Sequence, residues 1–149
     1  YQFQSQELFN DNNNYKNMKI ETIKLTYQDD RGSITDIVEQ LDFNGATMIE
    51  SKKGSIRGNH YHKLTVQYIY VLHGKMKSKA KKVDEPMVAV IVEPGHLISH
   101  EAYEAHSFEA LEDTLFLVLS SGLRTGSDYE KDTYRLNVPL EEFSKKDIA

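Results

Sequence analysis

His60 and His62 stand two residues apart in the run His60-Tyr61-His62. On an extended strand both imidazoles would project from one face, about 7 Å apart along the chain, and could converge on one ion or one substrate. Gln67 follows in the next strand-like run, where it shares a face with Ile69 and Val71. An amide in an otherwise apolar row needs a polar partner inside the protein. A third histidine, His106, precedes the strongly apolar run of residues 114–121. Three neutral imidazoles and one amide oxygen form a donor set for a divalent ion such as zinc, nickel, iron or manganese. Without a metal, a histidine near its ordinary pKa can take a proton next to a carbonyl while a second group returns it. Both chemistries remain open at this level.

Composition narrows the alternatives. The chain has no cysteine, which removes disulfides, thiolate nucleophiles and cysteine metal sites. Its net charge is −5, and the one dense basic stretch, residues 75–82, has no interleaved aromatics, so nucleic acid is not an expected partner. No run reaches the roughly 18 apolar residues of a membrane helix, and no secretory layout opens the chain, which reads as soluble and cytoplasmic. A length of 149 residues with 39% hydrophobic residues fits one domain with a real core. Residues 1–17 are rich in Gln and Asn and show neither helical nor strand period; they read as a tag or disordered tail, with the domain spanning residues 18–149.

From Tyr27 onward the elements that must position the histidines are short β-rich runs: SITDIVEQ, ATMIES, SIRGNHYH, TVQYIYVL, KMKSKAKKV, MVAVIV, HLISH, AHSFEAL and TLFLVLSS. Turn signals such as Asn44-Gly45, Lys53-Gly54, His73-Gly74 and Pro94-Gly95 separate them. This rhythm predicts an all-β antiparallel sandwich or small barrel. Only VPLEEFSKKD, with Pro139 in its first turn, has the character of a helix. TVQYIYVL is apolar on both faces, which predicts a homodimer with Tyr68 and Tyr70 as outward contacts. Equally, those tyrosines could cap the sandwich within one chain. His73, His96 and His100 fall in or beside turns and read as surface residues, with His100 and Glu104 as stand-in donors. The polar stretch of residues 122–135 reads as a solvated loop, with a lid over the site as the alternative.

The segment from Gly54 to Gly74 resembles the first motif of the cupin superfamily: Gly, five residues, His-x-His, four residues, an acid, six residues, Gly, with Gln67 where the family has Glu. The second cupin motif is matched only by His106, with Glu101, Tyr103 and Ala110 standing where that motif has Pro, Gly and Asn. The resemblance implies a cupin double-stranded β-helix (jelly-roll) barrel with a short C-terminal helix, and a mouth holding His60, His62, Gln67 and His106.

The string Arg57-Gly58-Asn59-His60-Tyr61-His62-Lys63 is also similar to that of cupin 3,4-ketoisomerases of nucleotide-linked 4-keto sugars and of the cupin domain of capsular-sugar enzymes. That likeness implies isomerisation or epimerisation of a sugar or sugar nucleotide in surface polysaccharide synthesis. His62 or His60 would be the base, Arg57 would contact a diphosphate, and Tyr103 or Tyr61 would be the acid. Strict strand alternation turns Arg57 away from the histidines, so that role requires a bulge at Gly58. The rival readings are a metal-dependent oxygenase of a small organic acid and a non-catalytic small-molecule binder.

Overall fold

The computed structural model describes residues 18–123 and 126–149; the opening tail and Arg124 lie outside them. The short runs become twelve strands: β1 (Lys19–Thr22), β2 (Tyr27–Asp29), β3 (Gly32–Ile34), β4 (Gly45–Ser51), β5 (Ile56–Tyr61), β6 (Val66–His73), β7 (Met76–Lys81), β8 (Val88–Val92), β9 (His96–His100), β10 (Ala105–Ala110), β11 (Thr114–Ser121) and β12 (Tyr134–Arg135). Two five-stranded antiparallel sheets form, in the orders β1-β9-β6-β11-β4 and β12-β5-β10-β7-β8, beside the small hairpin β2-β3. Between β4 and β11 the chain passes repeatedly from one sheet to the other, which is the winding of a jelly roll.

Alternation explains why these segments fold as strands. In β6 the buried residues are Gln67, Ile69 and Val71, and in β7 they are Met76, Ser78 and Ala80, with the residues between them less buried. The inward rows meet in a core of Ile69, Val71, Met76, Ala80, Val92, Ile98, Phe108, Phe116 and Val118. Burying each of these side chains other than Ala80 stabilises the sandwich by about 1.5–3 kcal/mol. The outward tyrosines Tyr68 and Tyr70 are half-buried on the opposite face.

Two expectations are corrected. Residues 138–147 form no α-helix but two short 3₁₀ turns, Leu140–Glu142 and Lys145–Asp147. Leu140 and Phe143 are drawn into a second apolar cluster with Tyr61 and Ala105, and Ser144 restarts the chain with a capping box on Asp147. Packing at a three-residue spacing therefore replaces the helical period. SITDIVEQ is strand only over its first two residues, at the end of β3; the rest has no regular structure.

Candidate active site in the barrel

β5 carries a bulge. His106 pairs with His60 but Ser107 pairs with Gly58, so Asn59 is the extra residue. Gly58 and Asn59 both adopt positive φ, 88° and 56°. A Cβ on Gly58 would sit 2.7 Å from the His106 carbonyl oxygen, so only glycine lets β5 and β10 approach here. The bulge also shifts the alternation: Arg57 pairs with the inward-facing Phe108 and so lies on the histidine face. Its guanidinium donates to Ser51 Oγ at 2.7 Å and to the Glu50 carbonyl at 2.8 Å.

His60, His62 and His106 are buried, and each offers a ring nitrogen within 4.8 Å of the others. Their ring centroids are 4.8 to 5.4 Å apart. On the facing sheet Gln67, buried, pairs with both His100 and Ser120, so these three side chains share one interior level.

His100 is not a surface residue. It is 1% exposed, its ring lies on that of His106, and its Nδ1 is 2.6 Å from Glu104 Oε1. It ends β9, and the inward phase of that strand carries it into the barrel. Glu104, fully buried, also accepts the Met18 N–H at 2.9 Å.

Hydrogen bonds set the protonation of two rings. His106 Nδ1 lies 3.0 Å from the Glu104 carbonyl and His62 Nδ1 lies 2.7 Å from the Asp132 carbonyl. A carbonyl can only accept, so each Nδ1 carries a proton, and in the neutral ring the lone pair is on Nε2. His106 Nε2 has no hydrogen-bond partner among the described residues. Burial, reinforced by the nearby charges of His100, His60 and His62, holds the His106 pKa well below the ordinary value, so it is a neutral donor at physiological pH. Buried, convergent ring nitrogens, neutral at His106, fit a divalent cation, and they equally fit a base facing a substrate C–H.

Residues 126–135 are not a solvated loop. The 3₁₀ segment Gly126–Asp132 packs across the cluster, with the Tyr129 ring 6.3 Å from His60 and 6.0 Å from His62. Tyr103 is 46% exposed and stacks on Tyr61 at 6.4 Å. Tyr61 is buried in the C-terminal cluster, where its hydroxyl accepts the Ala149 N–H. Tyr103, which stands where the cupin motif has glycine, has φ 62°, in the left-handed region that favours glycine, and its N–H donates to the His62 carbonyl. The phenol that approaches the imidazoles is thus Tyr129. Sequence reasoning missed it because no local pattern joins it to residues nearly seventy positions earlier.

Two antiparallel sheets wound as a jelly roll, with histidines from adjoining strands turned inward, define a cupin. The chain belongs to the polysaccharide biosynthesis C-terminal domain family, whose model matches residues 27–121. The fold is similar to that of dTDP-4-dehydrorhamnose 3,5-epimerase from Sulfolobus tokodaii, at 19% identity and a TM-score of 0.70, covering 97% of this chain and 92% of that one. It is also similar to the sugar 3,4-ketoisomerase QdtA from Thermoanaerobacterium thermosaccharolyticum in complex with TDP (22% identity, TM-score 0.68, 83% and 90% covered). A third similar structure is RmlC from Legionella pneumophila in complex with dTDP-4-keto-L-rhamnose (20% identity, TM-score 0.65, 86% and 81% covered). No curated protein matches the sequence. Among the described residues, no helix is long and apolar enough to cross a membrane.

Proposed function

We propose that this cupin isomerises or epimerises a nucleotide-linked 4-keto sugar in surface polysaccharide biosynthesis. The observation that carries the reading is the buried cluster of His60, His62 and His106 beneath the Tyr129 ring. His62 Nε2, or a nitrogen of His60, removes a proton from the carbon beside the ketone, and the electron pair moves into an enolate. Tyr129 donates a proton to the enolate carbon or oxygen, and the base returns its own proton to the medium. Protonation on the opposite face of the same carbon gives an epimer, whereas protonation of the former carbonyl carbon, with the proton of the adjacent hydroxyl passing to the original ketone oxygen, gives the isomeric ketone. Tyr129 takes the acid role that Tyr103 and Tyr61 were expected to fill. Arg57, on the histidine face, is the candidate diphosphate contact.

In the alternative metal reading, a divalent cation held by His60, His62 and His106, with Gln67 as a further oxygen donor, would polarise the substrate carbonyl, and those imidazoles would then be ligands and not bases. A nucleotide-sugar substrate supports a cytoplasmic location, and the half-buried face of Tyr68 and Tyr70 supports a homodimer.

The test is NMR of the purified protein with TDP-4-keto-6-deoxyglucose and with UDP- and GDP-linked 4-keto sugars in deuterated water. Deuterium entering beside the ketone, or a shifted carbonyl, is expected with at least one. No exchange and no thermal stabilisation with any of them, alongside stabilisation by a small aromatic acid, would overturn the reading.

A further inference from the structure

Two of the clustered rings are oriented by the same device. His106 Nδ1 is held by the main-chain carbonyl of Glu104, and His62 Nδ1 by that of Asp132. In each case the residue lending the carbonyl is a buried acid whose own carboxylate fastens another segment. Glu104 takes the Met18 N–H and His100. Asp132 binds the turn between β5 and β6: Oδ1 accepts the Lys63 N–H at 2.9 Å, and Oδ2 accepts the N–H groups of Leu64 at 3.1 Å and Thr65 at 2.8 Å. The Thr65 hydroxyl adds a further bond at 2.7 Å.

Glu104 stands beside β10, so the sheet itself places its carbonyl. Asp132 has a slighter support of this kind: it stands two residues before β12, whose two residues pair with β5 at Tyr61 and His60. It closes a 3₁₀ segment seventy residues along the chain from His62, and charge-assisted bonds from three consecutive amides are what fix it to the turn that follows the histidine. Those bonds outweigh the desolvation of the buried carboxyl and lower its pKa below the ordinary value, so it is ionised at neutral pH.

We propose that Asp132 is a positioning residue: its carboxylate locks Gly126–Asp132 onto the turn at residues 63–65, which keeps its carbonyl on His62 Nδ1 and makes Nε2 the basic nitrogen facing the barrel. The same lock brings Tyr129 over the imidazoles. Unrestrained neutral imidazole favours the opposite tautomer, with the proton on Nε2. Loss of the lock would therefore leave His62 buried but turn a donor hydrogen toward the place where a lone pair is needed. This inference rests on the reading that His62 acts through Nε2.

The test is a two-bond proton–nitrogen correlation spectrum of protein labelled with nitrogen-15 histidine, recorded for the full chain and for Asp132→Asn and Asp132→Ala. In the parent, His62 and His106 both give the Nδ1–H tautomer. His62 is expected to gain a minor second tautomer in Asp132→Asn and a major one in Asp132→Ala, while His106 stays unchanged as the internal control. Turnover should fall roughly tenfold or more in kcat for Asp132→Ala. An unchanged His62 pattern in whichever variants fold would overturn the proposal. Equal changes at both histidines would overturn it as well, since they report general loosening. A selective His62 change in a protein that turns over no keto sugar upholds the positioning role and removes the functional reading instead.

Discussion

The ring of His100 lies almost flat on that of His106, with centroids 4.6 Å apart and planes inclined by 22°. Two stacked imidazoles cannot both be protonated without strong repulsion, and His106 is also cut off from water. In the unfolded chain the His106 ring has the ordinary pKa of 6.5; in the fold, burial and its histidine neighbours depress it. Below about pH 6.5 the unfolded chain therefore binds a proton that the fold refuses. The associated stability is complete above that pH and is lost as pH falls toward the folded pKa, by about 1.4 kcal/mol per pH unit for one such group. Urea midpoints of chelator-treated protein at pH 7.5 and 5.5 should show this loss, and His106→Gln should flatten it. An equal slope in both proteins counts against the assignment.

Gly58→Ala should lower the unfolding free energy by about 1–3 kcal/mol, from the positive φ and the collision with the His106 carbonyl. Because the bulge aims both His60 and Arg57, activity should fall further than stability accounts for. A melting temperature within a degree of the parent would show that the bulge tolerates a side chain.

Tyr129→Phe keeps the ring against His60 and His62 and removes only the hydroxyl. Turnover is expected to fall about 10²–10⁴-fold with the melt unchanged. Parallel Tyr103→Phe should cost little, since that ring faces outward; the reverse ranking would return the acid role to Tyr103.

Gln67→Glu adds a carboxylate oxygen at the level of His100, facing the sheet that carries the three histidines. Divalent-cation affinity should rise, because a charged oxygen is the stronger donor. Calorimetry with zinc, nickel and manganese measures it, and identical constants would take Gln67 out of contact with the ion.

The outward face of β6, carrying Tyr68 and Tyr70, pairs with β11, where Leu117 lies opposite Tyr70. If this face joins two copies, the protein sediments as a dimer and Tyr70→Lys as a monomer with the same circular dichroism. A parent that sediments as a monomer at micromolar concentration removes the dimer.

Much of the barrel was legible because strand burial is a local property. Alternation in TVQYIYVL and MKSKAK writes the inward rows directly, and the turns before Gly54 and Gly74 mark where strands stop. The His-x-His spacing likewise reads as a shared face. What failed was whatever depended on partners far along the chain. His100 looked like a turn residue because it ends its strand, and its burial follows from pairing with Gln67 on β6 across the sheet. The expected helix at residues 138–147 became 3₁₀ turns because Leu140 and Phe143 answer to Tyr61 across the sheet.

By itself, the sequence determined an antiparallel all-β sandwich and a histidine pair on one strand face, since period-two burial and turn chemistry act between neighbours. The cupin resemblance already set His106 beside that pair, but only the tertiary structure decided that His100 stacks on His106, that Tyr129 covers the cluster and that the main-chain carbonyl of Asp132 meets the ring of His62. Those relations arise from strand register, a one-residue bulge and hydrogen bonds closed over tens of residues, and no local pattern of residue types encodes which distant carbonyl a given ring will meet.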